Sequence, residues 1–164
     1  MNVINVYEPT ERSEALSTAA RAPARPIAAN VFTLRKSGAR PISFSGRQLG
    51  HHNGYQLGSP LWHEVNLYQT EDGRYVADIR VFTKAQGAKD QFHVMVADSL
   101  EEALQFFEGY DPRADVPADI AIDDETLSPA ELLVQAAALK ARVADAVSQY
   151  RAVLSAFLSE MNRH

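Results

Sequence analysis

Alternation of apolar and polar residues is clearest between Leu61 and Thr83, where two runs flank Glu71-Asp72-Gly73. Two hairpin registers compete for this stretch. A two-residue Asp72-Gly73 turn pairs Leu67 with Asp78 and Val65 with Arg80, which mixes core and solvent groups on both faces. A three-residue loop with Gly73 in the left-handed region pairs Thr70 with Arg74. His63, Val65 and Leu67 then share a face with Val81, Ile79 and Ala77, while Glu64 faces Arg80 and Trp62 faces Phe82. A one-residue slip moves every side chain to the wrong face, so the bulged register is the one expected.

Weaker strand patterns occupy Ala29–Lys36, Pro41–Ser45 and Phe92–Ala97. Between the second of these and Leu61, glycines recur at 46, 50, 54 and 58, a spacing hostile to helix and strand alike. A glycine-rich loop over 46–60 is expected. Ser99-Leu-Glu-Glu102 reads as a capping box that opens a short helix with Leu100, Ala103, Leu104 and Phe107 on its stripe, ended by Gly109. Asp111–Leu127 is acidic and punctuated by proline, as a connector crossing the surface would be.

Ser128-Pro-Ala-Glu131 is the strongest helix start: a serine cap, proline at the first helical position and a glutamate closing the box. Nothing breaks the helix before about Asn162, giving a length of roughly 50 Å at 1.5 Å per residue. A chain of 164 residues folds to a body only about 30–40 Å across. One heptad stripe collects Leu132, Ala136, Leu139, Val143, Ala146, Tyr150, Val153 and Phe157. A neighbouring stripe collects Leu133, Ala137, Ala144, Val147, Leu154, Leu158 and Met161. One sheet covers one stripe and two stripes call for two neighbours. Self-association is therefore expected through this helix, with Leu132, Leu139, Val143, Tyr150, Leu154 and Phe157 at the interface; burial of both stripes within one chain is the alternative.

Together these elements predict an α+β fold: an antiparallel sheet of four to five strands, a short helix and a long C-terminal helix. Residues 1–27 read as a flexible arm with a weak alanine-rich helix over Glu11–Ala22, 28–127 as the core, and 128–164 as the association element. The length fits one domain. With no cysteine, disulfides and thiolate chemistry are excluded. The first residues lack the pattern of a signal peptide and no run spans a bilayer, so a soluble cytoplasmic protein without a membrane partner is expected.

Charge changes the picture once. From Ala15 to His63 there is no acid but six bases, Arg21, Arg25, Arg35, Lys36, Arg40 and Arg47, in a protein of net charge −5. Glu64 to Leu127 holds 15 acids against five bases. Guanidinium groups beside backbone N–H donors suit phosphate contacts, and Tyr55 and Trp62 could stack a base. Arg35, Lys36, Arg40, Arg47, His51 and His52 are thus a candidate anion or nucleic-acid site within the basic 21–52 segment. Packing of this segment on the acidic connector is the competing explanation. An acidic surface that captures a basic partner ranks lower still.

Catalytic patterns are lacking. His51 and His52 are adjacent and point apart in an extended chain, and no second ligand pair follows, so no metal or cofactor is expected. His63 on the core face reads as a hydrogen-bonded interior histidine. Asp111, Asp115 and Asp119 recur every four residues, but Pro112 and Pro117 keep them off one helix. No nucleophile elbow, phosphate loop or dinucleotide fingerprint occurs. The leading expectation is a non-catalytic interaction or assembly protein that pairs with itself and with a further protein. A binding module on the basic segment, and a small enzyme with a pocket near the 46–60 loop, are the alternatives.

Overall fold

The computed structural model describes residues 30–164; the expected arm over 1–27, its helix, and Arg21 and Arg25 lie outside the described residues. Five strands form an antiparallel meander in sequential order: β1 (Asn30–Leu34), β2 (Ile42–Asn53), β3 (Leu61–Thr70), β4 (Tyr75–Thr83) and β5 (Gln91–Ala97). A short helix α1 (Leu100–Glu108), a 3-10 turn at Pro112–Asp115 and a long helix α2 (Pro129–Met161) follow. The fold is α+β, as the pattern predicts.

The β3–β4 hairpin adopts the bulged register. Val65 pairs with Ile79, Glu64 with Arg80 and Trp62 with Phe82. Thr70 N–H donates to Arg74 O at 2.8 Å, Gly73 N–H donates to Thr70 O at 3.0 Å, and Gly73 has φ +84°. Glycine takes that conformation without a Cβ penalty, which is why the turn sits here.

One expectation is corrected. The glycine loop over 46–60 shrinks to residues 54–60, because β2 runs on through Asn53. Gly46 and Gly50 serve close approach rather than turning. A Cβ on Gly46 would collide with the backbone carbonyl of Gln69, and one on Gly50 would lie 2.6 Å from the Phe157 ring. Pairing shifts between Gln48 and Gly50, leaving Leu49 as the extra residue of a bulge. After it, consecutive residues again alternate faces, and His51 and His52 point to opposite sides of the sheet.

The sheet curls. Ser37, in the β1–β2 turn, donates its N–H to Phe92 O on β5 at 2.9 Å, and its hydroxyl accepts from Phe92 N–H at 2.8 Å. The two edges of the meander thus meet at one corner. On the outer face, Val65, Leu67, Ala77 and Ile79 pack against Ala103 and Phe107 of α1 and Tyr150, Val153 and Phe157 of α2. On the inner face, Leu34, Tyr68, Val76 and Val94 gather Phe32, Ile42 and Phe44 around them.

Candidate functional site

Helix α2 is anchored at its start by the expected box: Ser128 Oγ accepts from Glu131 N–H at 3.2 Å, and Ser128 N–H donates to Glu131 Oε2 at 2.7 Å. These bonds hold the Glu131 carboxyl below its usual range. In the second half, Ala146, Tyr150, Val153 and Phe157 are buried on one stripe. The side turned away from the sheet there is Ser148, Arg151, Ala152, Ser155 and Ser159, all exposed. That is ordinary amphipathic design.

The first half differs. At 3.6 residues per turn, the side opposite the core stripe collects Ala130, Leu133, Val134, Ala137, Ala138, Ala141 and Ala144, all exposed. Leu133 is 72% and Val134 70% exposed. No charged residue interrupts this strip; Glu131, Lys140, Arg142 and Asp145 border it.

Of the six residues expected at an oligomer interface, Tyr150 and Phe157 instead close the chain's own core, at 3% and 0% exposure. Sheet residues of β2 and β3 present enough apolar surface to take that stripe, and Tyr150 donates its hydroxyl to Phe107 O. Leu154 packs half-buried against the same cluster. Leu132, Leu139 and Val143 are half-buried.

On the inner face of the sheet, polar residues form a ladder across three strands. The sequence pattern marks these positions only as a solvent face, yet Glu64, Asn66 and Asp78 are 8%, 2% and 1% exposed. Curling of the sheet, invisible in the alternation, buries them. Arg80 Nε donates to Asp78 Oδ2 at 2.8 Å and its Nη1 to Glu64 Oε1 at 3.2 Å. Asn66 Nδ2 donates to both carboxylates, at 3.1 and 3.3 Å. From β2, His51 Nδ1 and Gln48 Nε2 donate to Asn66 Oδ1 at 2.7 and 3.0 Å, and Asn53 Nδ2 to Glu64 Oε2 at 3.1 Å.

The outer face holds a second polar group beneath the helices. His63, 1% exposed, donates from Nε2 to Asp115 Oδ2 at 2.8 Å. Tyr110 donates its hydroxyl to the same carboxylate at 2.7 Å. Burial, and then the Asp115 hydrogen bond, push the Tyr110 hydroxyl far above the ordinary tyrosine range. His63 is thus the hydrogen-bonded interior histidine its strand position implies. The connector expected to cross the surface turns Asp115 inward instead, because the 3-10 turn at Pro112 aims it at His63. His93 lies under Tyr110, their rings 5.2 Å apart.

The candidate anion residues do not converge on one point. Arg35, Lys36 and Arg40 sit in the β1–β2 turn, with Arg35 over the Phe92 ring at 5.9 Å. Arg47 lies further along β2, where Nη2 donates to Gln69 Oε1 at 2.8 Å. His51 faces the inner ladder, and His52, on the other face, donates to Glu160 Oε1 at 3.2 Å. Among the described residues none of the four bases pairs with the acidic connector, whose Asp111 pairs with Arg113 at 2.9 Å.

A cavity of about 430 Å³ lies between residues 52–56 and α2, lined by His52, Tyr55, Gln56, Ser148, Gln149 and Val153 among others. A larger one, of about 570 Å³, is lined by Tyr110, Arg113, Tyr150 and Arg151 among others. Among the described residues no cluster of three or more His, Cys, Asp or Glu is set to hold a metal ion, and no helix is long and apolar enough to cross a membrane. No protein-family model, no curated protein and no solved structure matches the chain.

Proposed function

We propose that the protein is a non-catalytic assembly protein that pairs with a second copy of itself through the outward face of the first half of α2. The observation that carries this reading is the pair Leu133 and Val134, exposed at 72% and 70% on a helix face otherwise made of alanine. Water-facing positions of a lone helix favour polar side chains, as the serines and arginine on the second half of the same helix illustrate. Alanine lets two helix axes approach closely, near the lower end of the 8–10 Å range. An antiparallel pair centred on this alanine stretch sets the same face of both copies together. The contact is isologous, as two-fold dimers require.

Light scattering over a range of concentrations tests this. Wild type is expected to move toward twice the chain mass as concentration rises, while Leu133→Glu stays at 18.1 kDa. A wild-type chain that remains monomeric at the highest soluble concentration would overturn the reading.

A second reading rests on the β1–β2 turn, which presents Arg35, Lys36 and Arg40 together with no salt-bridge partner among the described residues. Here a nucleic-acid or other anionic partner is expected to bind with affinity that falls steeply with salt. Replacing the three by alanine reduces the salt slope; absence of binding at low salt ends this alternative.

A further inference from the structure

The inner ladder lies on the sheet face turned away from α2, and its charges do not balance. Glu64 and Asp78 share one guanidinium, that of Arg80, and His51 Nδ1 lies 3.8 Å from Glu64 Oε1, so with both acids ionised and His51 neutral the group carries one excess negative charge. Asp78 Oδ2 takes the bonds from Arg80 and Asn66, while Asp78 Oδ1 is buried with no partner among the described residues. A buried carboxylate oxygen without a donor is costly and rare. Burial lifts the Asp78 carboxyl to about 6, with Arg80 opposing and Glu64 adding to the rise. Among the described residues the groups that face it are Glu64, Asn66 and Tyr68 on β3, Arg80 on its own strand, and His51 on β2 through Asn66, while β5 sets Val94 opposite it.

One end of the ladder reaches solvent, where the His51 and Arg80 side chains are 49% and 29% exposed. Beside it stands an aromatic wall. The Trp62 and Phe82 rings stack at 5.4 Å and Tyr55 meets Trp62 edge-on at 4.9 Å. This wall already holds a cation at its rim, with Lys84 Nζ 5.3 Å from the Tyr55 centroid and 5.7 Å from that of Trp62. Aromatic faces attract ammonium and guanidinium groups at such distances. An anion would meet two carboxylates here, and the aromatic faces suit an organic cation over a bare metal ion.

We propose that the inner ladder binds a small organic cation with an ammonium or guanidinium head, which completes the charge set of Glu64, Asp78 and Arg80 while its body lies along the Trp62–Phe82 wall. The head enters from the β2 side as His51 swings off Asn66, and donates to Glu64 and to Asp78 Oδ1.

The test uses the full chain with n-butylammonium and methylguanidinium, and n-butanol and acetamide as neutral controls. The cations are expected to raise the unfolding midpoint by several degrees and the neutral molecules to leave it unchanged. Cation affinity is expected to fall by up to about tenfold between pH 7.5 and pH 5, as Asp78 takes up its proton. Asp78→Asn and Glu64→Gln each remove the cation effect, while the surface variant Glu101→Gln keeps it. Should either ladder variant fail to fold, the Asp78 carboxyl signal of wild type, followed by carbon NMR, decides: its titration midpoint drops on adding the cation. Equal shifts from the neutral molecules, binding that ignores pH, or binding of a lysine-bearing peptide but of neither free cation would overturn the proposal. So would inorganic phosphate moving the midpoint in their place.

Discussion

The two halves of α2 are one continuous helix with opposite solutions to the same problem. The second half turns Ala146, Tyr150, Val153 and Phe157 to the sheet and serine and arginine to water. The first half turns Leu133, Val134 and alanines outward. Composition alone does not separate them, since both carry two apolar stripes. What separates them is the reach of the sheet: β2 and β3 end under the second half, so a helix of about 50 Å overruns its support. The second half is explained by the chain itself, and the first half leaves Leu133 and Val134 facing solvent.

The largest expected break in this contrast is at Phe157. The side chain is fully buried and packs edge-on to Phe107, ring centroids 5.3 Å apart. Phe157→Ala removes the ring from between the sheet and both helices, and denaturant unfolding is expected to show a loss of about 3–5 kcal/mol. A loss below about 1 kcal/mol would mean that the second half is not the anchored one. Gly50→Ala attacks the same seat from the strand side. Its new methyl lies 2.6 Å from the Phe157 ring and 3.2 Å from Met161 Cγ, so the ring or the strand must shift, at about 1–3 kcal/mol. Ser128→Ala acts at the far end. Loss of the cap costs about 1 kcal/mol, and amide exchange is expected to quicken over Ala130–Val134 while Tyr150–Phe157 stays protected.

Sequence reading recovers as much of this as local patterns encode. The hairpin register follows from one face sorting at Val65–Ile79 and Leu67–Ala77, and both helix starts follow from their capping boxes. Glycine defeats the same reading in β2. Gly46 and Gly50 look like loop residues because their need is not local: one makes room for the β3 backbone, the other for Phe157, 107 residues away. The inner ladder escapes for a related reason. Alternation assigns Glu64, Asn66, Asp78 and Arg80 to the face away from the core, and only the Ser37–Phe92 closure of the curl makes that face an interior. A signal was nevertheless present, in acids and an arginine set opposite and diagonal to one another across a hairpin. Tyr150 and Phe157 are readable as apolar helix positions, but the choice between a seat within the chain and one between copies is not, since the point where the sheet stops is a tertiary fact.

Leu133→Glu is the smallest perturbation of the fold and the sharpest test of the contrast. At 72% exposure Leu133 loses little on replacement, so the stability of the isolated chain should change by no more than about 0.5 kcal/mol. A charge placed in the middle of an apolar helix pair, and placed there twice by two-fold symmetry, sets two carboxylates within one desolvated seam and opposes association. Unchanged unfolding at low concentration together with lost assembly at high concentration is therefore the expected pairing of results. The same substitution at Ser155, on the outward face of the second half, should move neither, because that face is already built for water. If Ser155→Glu disrupted assembly and Leu133→Glu did not, the two halves would have exchanged roles, and the exposed leucine and valine would carry no functional meaning.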